Sequence, residues 1–151
     1  MVFPWRRVSQ SRLPKEPTLT DFRVLSDTVR VAPQIALSDM AEAAALGVRT
    51  VVSNRPDGED PGQPTAAEVA AAAQAVGIAF VHAPVSGFPD EAAVAAVGEV
   101  LAAREPVLMF CRSGTRSAMV WALAMRQAGA EPEGLREAAA GAGYDLSRLP
   151  L

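Results

Sequence analysis

The segment from Cys111 to Arg116 (CRSGTR) is the part of the sequence best suited to chemistry. It follows an apolar run typical of a buried strand and precedes a run typical of a helix, which predicts a turn between the two. Backbone amides and the helix dipole favour negative charge at such a turn. No acidic residue lies between Pro106 and Ala130 to offset the two arginines. We therefore predict an anion-binding loop with Cys111 as a thiolate nucleophile.

The other residues of the loop have separate expected roles. Arg116 would hold the anionic end of a substrate or orient the loop, whereas Arg112 would be more exposed and act through its charge. Gly114 suits a tight curl, because glycine tolerates positive φ. Three further positions, Ser113, Thr115 and Ser117, would contribute amides or hydroxyls, with Ser117 bonding the sulfur or capping the next helix. The competing interpretation makes Cys111 a small core residue.

Two other loops are expected at the same edge of the sheet. In a mostly parallel sheet the carboxyl ends of the strands meet on one side, where ligands usually bind. We predict a supporting shell of Asn54, Arg55, Asp57 and His82. Asp57 would brace its turn and pair with Arg55. His82 would either move protons or be a buried residue satisfied by backbone.

Short β-branched runs alternate with alanine-rich stretches from Phe22 onward, which predicts an α/β fold, a single domain with a mostly parallel central sheet flanked by helices. Strands are predicted at 28–31, 48–53, 78–83 and 107–110, with the apolar 78–83 as a central strand. Helices are predicted at 39–46, capped by Ser38, then 65–76 with a Thr65–Glu68 capping box, and at 90–104, 117–129 and 133–140. Residues 54–64 form a long loop. We expect 1–17 to be a poorly ordered tail and 18–151 the catalytic domain.

Composition excludes several classes of function. The net charge of −3 and the pI near 5.2 provide no general field for nucleic acid or an anionic membrane. No apolar run is long enough to span a bilayer and residues 1–17 do not resemble a secretory signal, so the cytoplasm is the expected location. One cysteine and one histidine cannot build a usual zinc site. We expect neither a metal nor a cofactor.

CRSGTR resembles the active-site loop of rhodanese-like sulfurtransferases. It is also similar to the loop of tyrosine and dual-specificity phosphatases, although they place five residues between cysteine and arginine and this chain has four. A wider resemblance covers residues 20–149. The segments VAPQI, NRPDGEDPGQPTAAE, FVHAPV, CRSGTRSA and GAGYDL resemble the beta-lactamase-hydrolase-like, phosphatase-like domain family, also described as a sulfur transferase family.

This resemblance implies a fold like that of dual-specificity phosphatases. Members of the family can be fused to a metallo-β-lactamase-like persulfide dioxygenase, but this chain lacks the histidine-rich motif of such a partner. In persulfide metabolism the dioxygenase would therefore be a separate protein. The phosphatases also carry a general-acid aspartate where this sequence has Pro84 to Gly87 (PVSG). Asp57 and Asp90 are the nearest substitutes.

Sulfur transfer is the leading hypothesis from the sequence. Cys111 would take a sulfane sulfur from thiosulfate or a small persulfide and pass it to a thiol or cyanide. The missing acid favours this chemistry, because a thiol or sulfite leaving group needs less protonation than an alkoxide. A phosphatase with a cysteinyl-phosphate is the alternative, and a non-catalytic anion-sensing or adaptor domain is a third. In each case the partner is a small anionic sulfur or phosphate compound.

Overall fold

The computed structural model describes residues 20–151 and shows one five-stranded sheet. The strands are β1 (Arg23–Val24), β2 (Val29–Ala32), β3 (Thr50–Ser53), β4 (Ala79–His82) and β5 (Val107–Phe110), in the order β1-β2-β5-β3-β4. Only β1 is antiparallel to its neighbour. The prediction of a mostly parallel α/β domain is confirmed, and the predicted tail at 1–17 lies outside the described residues.

Helices cover both faces of the sheet. They are α1 (Met40–Ala45), α2 (Ala66–Ala75), α3 (Glu91–Ala102), α4 (Thr115–Gln127) and α5 (Pro132–Gly141). Alternate residues of β5 point to opposite faces, so Met109 packs in the cluster beneath α3, α4 and α5 while Leu108 and Phe110 pack beneath α1 and α2. All four residues of β5 are buried, which makes this strand the centre of the core.

The predicted central position of residues 78–83 is wrong. The strand there, β4, is at the edge of the sheet, and Ala79 and His82 are exposed. The flanking residues Ile78 and Ala83 are buried in different clusters, and Phe80 and Val81 are partly buried against the same two clusters. An apolar run of this length therefore indicates partial burial on both faces of a strand, which does not by itself place the strand in the middle of the sheet.

The helix starts agree with the sequence in part. The predicted capping box is present, because the Glu68 amide donates to Thr65 Oγ1 at 3.1 Å and the Thr65 amide donates to Glu68 Oε1 at 2.9 Å. Ser38 is not a cap. A short 3₁₀ turn at Leu37–Asp39 precedes α1, and the Ala36 amide donates to the Asp39 carboxylate instead.

The strand order places the cysteine loop between two other loops. Because β5 lies between β2 and β3, the residues after each of these strands contact the residues after β5. The Gln34 amide donates to the Arg112 carbonyl at 3.1 Å, and the Asn54 amide donates to the Phe110 carbonyl at 2.8 Å. Within residues 20–151 no helix combines the length and apolar character that crossing a membrane requires.

Replacing the β5 phenylalanine tests the position of the core. Phe110 is 1% exposed, so Phe110→Ala removes a buried ring and should lower the free energy of unfolding by about 3–5 kcal/mol. Phe88→Ala is the matched control, because Phe88 is 59% exposed and the same change there should cost less than about 0.5 kcal/mol. Urea unfolding followed by circular dichroism measures both, and equal costs would show that β5 is not central.

Candidate functional site

The cysteine loop curls so that one of its own amides faces the sulfur. Gly114 has φ 98° and is the N-cap residue of α4. Its N–H donates to Cys111 Sγ at 3.0 Å. An L-residue adopts this backbone conformation only at a cost, which explains the glycine. The helix therefore starts at Thr115, two residues earlier than predicted, and its first amides have no acceptor within the helix.

Cys111 is completely buried in this structure, with 0% of the residue exposed. This burial agrees with the competing interpretation of Cys111 as a small core residue. Its surroundings are nevertheless polar. The pKa of Arg116 is raised, first by its hydrogen bond with Glu59 and, against the opposing effect of burial, also by its interaction with Cys111. The arginine thus lies close to the cysteine, unlike the neighbours of a cysteine that merely fills space in a core.

Arg116 is held by a carboxylate that the sequence did not identify. Its Nη1 and Nη2 donate to Glu59 Oε2 and Oε1 at 2.7 and 2.9 Å, and Nη1 also donates to the Val85 carbonyl at 2.8 Å. A guanidinium has five N–H donors. Among the described residues, the Nε–H and one Nη2–H have no oxygen acceptor. They lie along one edge of the guanidinium, where two oxygens of an anion can bind.

Glu59 and Asp60 belong to a wider ion-pair cluster. Arg55 is 4% exposed and donates from Nε to Glu59 at 2.9 Å and from Nη2 to Asp60 at 2.5 Å. The exposed side chain of Arg112 lies 3.7 Å from Asp60. Three guanidinium groups thus surround two carboxylates, which leaves one positive charge in excess within this ion-pair cluster.

The rest of the predicted supporting shell is divided. Arg55 does not pair with Asp57, whose Oδ1 accepts from the Ala66 amide at 2.8 Å and so braces the start of α2. His82 is exposed, and its Nε2 lies 3.0 Å from the Arg55 carbonyl. Neither Asp57 nor His82 has a hydrogen bond with the cysteine loop in the described structure. Of the two roles considered for His82, a buried residue satisfied by backbone is wrong in its burial, although the ring does lie beside a backbone carbonyl.

Asn54 links three loops beneath the site. Its Nδ2 donates to the Ala83 carbonyl at 2.7 Å, and its carbonyl accepts from the Val85 amide at 3.0 Å. Ser117 Oγ donates to Asn54 Oδ1 at 2.7 Å. Ser117 therefore neither bonds the sulfur nor caps α4, the two roles considered from the sequence. Because both side chains are buried, this hydrogen bond fixes the position of α4 relative to the loop that follows β3.

Tyr144, which the sequence analysis did not select, braces the loop from the C-terminal side. Its hydroxyl donates to the Ser113 carbonyl at 3.2 Å, and burial raises the pKa of the phenol, so it is a donor at neutral pH. A Cβ on Gly114 would lie 2.0 Å from this hydroxyl. Ser113 and Thr115 bond each other, with Ser113 Oγ donating to Thr115 Oγ1 at 3.1 Å.

No group of three or more histidine, cysteine, aspartate or glutamate side chains suited to a metal occurs within the described part of the chain.

Gly114→Ala should distort the loop beyond the ordinary cost of positive φ. Gly129 is a matched control, since its φ is +101° and its Cβ would meet nothing within 4 Å. Gly129→Ala should cost about 1–2 kcal/mol of stability, and Gly114→Ala more. Adding Tyr144→Phe removes the nearest clashing atom and should recover part of the difference. Chemical unfolding measures all four proteins, and equal costs for the two alanines would contradict the close packing of Tyr144.

Glu59 should make stability depend on acid pH. Arg116, and after it Arg55, hold the pKa of the Glu59 carboxyl down from 4.5 to about 2. A lowered pKa stabilises the folded state above the unfolded value, and this contribution is lost as the pH falls from 4.5 towards about 2. Glu59→Gln should therefore lose less stability than the parent over this window.

Denaturant titrations at several pH values across that window measure the effect. Glu99→Gln, at an exposed residue without an ion pair among the described residues, is the control and should behave like the parent. If Glu59→Gln also follows the parent curve, the ion pair does not form in solution.

Comparison with known proteins places this site in a phosphatase-like scaffold. A candidate phosphatase from Neisseria meningitidis superposes with a TM-score of 0.73 at 28% identity, covering 86% of this chain and 94% of that one. Kinase associated phosphatase, solved with its catalytic cysteine replaced by serine, has a TM-score of 0.63 at 19% identity and covers 85% and 87%. The predicted likeness to the dual-specificity and tyrosine phosphatase fold is confirmed.

Curated relatives carry a shared description. A beta-lactamase hydrolase-like protein of Agrobacterium fabrum is 34% identical over 101 residues, and one of Xylella fastidiosa is 35% identical over 101 residues. Each match covers 66% of this chain but 23% of the relative, so the chain spans about a quarter of their length. The family model described as beta-lactamase hydrolase-like protein, phosphatase-like domain, matches residues 21–130. The chain therefore belongs to the beta-lactamase hydrolase-like, phosphatase-like domain family.

Proposed function

We propose that the chain is a cysteine-dependent phosphatase that hydrolyses small phosphate monoesters through a cysteinyl-phosphate at Cys111. One observation carries the proposal. Arg116 is fixed beside the sulfur by Glu59 and keeps one edge of its guanidinium for an anion. The family's phosphatase-like fold supports the same chemistry.

The reaction would proceed in two steps, phosphoryl transfer to Cys111 and hydrolysis of the cysteinyl-phosphate. The Cys111 thiolate attacks phosphorus, a sulfur–phosphorus bond forms as the bond from phosphorus to the leaving oxygen breaks, and that oxygen departs with the electron pair as a phenolate or carboxylate. The Arg116 edge and the first amides of α4 bind the non-bridging oxygens, whose charge they stabilise in the transition state. Water then attacks the phosphorus of the cysteinyl-phosphate, inorganic phosphate leaves, and the thiolate is restored.

The surrounding carboxylates restrict the leaving group. Asp90 Oδ1 accepts from the Ala93 amide at 2.9 Å and caps α3, and Asp57 braces α2, so both sequence candidates for the general acid are engaged elsewhere. Glu59 has a pKa of about 2 and is ionised at neutral pH. A carboxyl group that can protonate the departing oxygen is therefore not apparent among the described residues. Aryl and acyl phosphates suit such a site, because their leaving groups depart without prior protonation.

Sulfur transfer is the second candidate, and the length of the loop favours it. Four residues separate Cys111 from Arg116, one fewer than in the phosphatases that CRSGTR resembles. A shorter loop encloses less space, and one sulfur atom needs less than a phosphoryl group. In this scheme the Cys111 thiolate attacks the outer sulfur of thiosulfate, and sulfite leaves. The Cys111 persulfide then passes its outer sulfur to an acceptor thiol. A separate persulfide dioxygenase would consume the small persulfide formed in this way.

Steady-state kinetics with both donor classes should separate the candidates. We expect phosphate release from an aryl phosphate to exceed thiocyanate formation from thiosulfate and cyanide. Cys111→Ser should abolish it, and Arg116→Lys should lower kcat/KM about a hundredfold or more, because a lysine lacks the two-donor edge. Arg126→Lys, an exposed arginine of the same helix, is the control and should leave the rate unchanged.

The opposite ranking of donors would replace phosphatase by sulfurtransferase. If neither donor is turned over but phosphate still binds to Cys111→Ser as to the parent, the non-catalytic anion-sensing hypothesis replaces both.

A further inference from the structure

We infer that the substrate carries a neutral apolar group of about one ring, bound in a groove beside the cysteine loop; this inference rests on the proposed function. The groove holds about 190 Å³. We call this groove the side groove. Its apolar wall consists of Phe88, Met119, Leu146, Leu149 and Pro150, and Thr115 also lines it.

The side groove is continuous with the anion-binding loop. Thr115 belongs to both, as the residue before Arg116 and as part of the groove. Phe88 follows Val85 by three residues, and the Val85 carbonyl accepts from Arg116. The C-terminal wall follows Tyr144, whose hydroxyl donates to Ser113. The segments that form the groove are thus those that brace the loop, and the groove and the loop meet at Thr115.

The size of the side groove matches a ring. An apolar cavity of about 150 Å³ holds benzene, and this groove is slightly larger at about 190 Å³. Phe88 is 59% exposed although it is a large apolar residue. A bound ring would cover part of its face, and each Å² of apolar surface removed from water stabilises the complex by about 25 cal/mol. Phe88 is therefore a specificity-determining residue in this proposal.

The charges at the rim favour a neutral group. Asp145 and Arg148 both line the groove and have opposite charges. The pKa of Asp145 is lowered, mainly by hydrogen bonds from Ser147 and in addition by the charge of Arg148. The carboxylate of Asp145 and the guanidinium of Arg148 therefore offset each other. A second anionic group on the substrate would gain little here, whereas hydrocarbon matches the wall.

Two acyl phosphates with the same reacting group test the inference. Benzoyl phosphate and acetyl phosphate differ by a ring and have leaving groups of similar acidity. We expect the parent to prefer benzoyl phosphate in kcat/KM by about tenfold. Phe88→Ala should lower this ratio several-fold. Phe88→Glu should abolish the preference for benzoyl phosphate, because a charge beside the ring opposes its burial. Val24→Ala, at a 60% exposed apolar residue of β1, should leave the ratio unchanged.

The outcomes separate this inference from the proposed function. Hydrolysis of both compounds with a ratio that Phe88→Ala and Phe88→Glu do not change would overturn the side groove and leave the phosphatase proposal intact. If neither compound is hydrolysed, the phosphatase proposal fails, and calorimetric binding of phenylphosphonate and methylphosphonate decides the groove. Tighter binding of the phenyl compound that depends on Phe88 supports the inference, and equal binding overturns it.

Discussion

The hydrogen bond from the Gly114 amide to the Cys111 sulfur determines the form of the whole site. It requires positive φ at Gly114, the residue from which α4 starts. This start of the helix places Arg116 close to the cysteine. Tyr144 lies where a side chain on Gly114 would be, so the same glycine allows the C-terminal segment to approach. One backbone conformation therefore connects Cys111, Arg116 and the side groove.

The ion pair between Arg116 and Glu59 adds the second constraint. A guanidinium on a flexible stem has to be ordered before it can bind an anion at two points, and that ordering costs free energy at each binding event. Glu59 orders it in advance, and Arg55 in turn holds Glu59. In the ion-pair cluster the guanidinium groups outnumber the carboxylates by one. The carboxylates thus position the arginines without cancelling their attraction for an anion.

Local sequence patterns predicted the parts of this structure that depend on neighbours in the chain. Such patterns predicted the CRSGTR turn, the Thr65–Glu68 capping box and the alternation of strands and helices. The edge position of β4 was not, because strand order depends on crossovers between distant segments. Glu59 lies 57 residues from Arg116 in sequence, and Tyr144 lies 31 residues from Ser113. Their contacts arise only when the loops fold together, so spacing carried no signal for them.

Rapid-quench mass spectrometry of the intact protein during turnover of an aryl phosphate tests the central claim most directly. We expect the mass of one phosphoryl group to appear on Cys111 early in the reaction and to disappear as the substrate is exhausted. Phosphate release at the parent rate by Cys111→Ser, without any adduct on the parent protein, would contradict it.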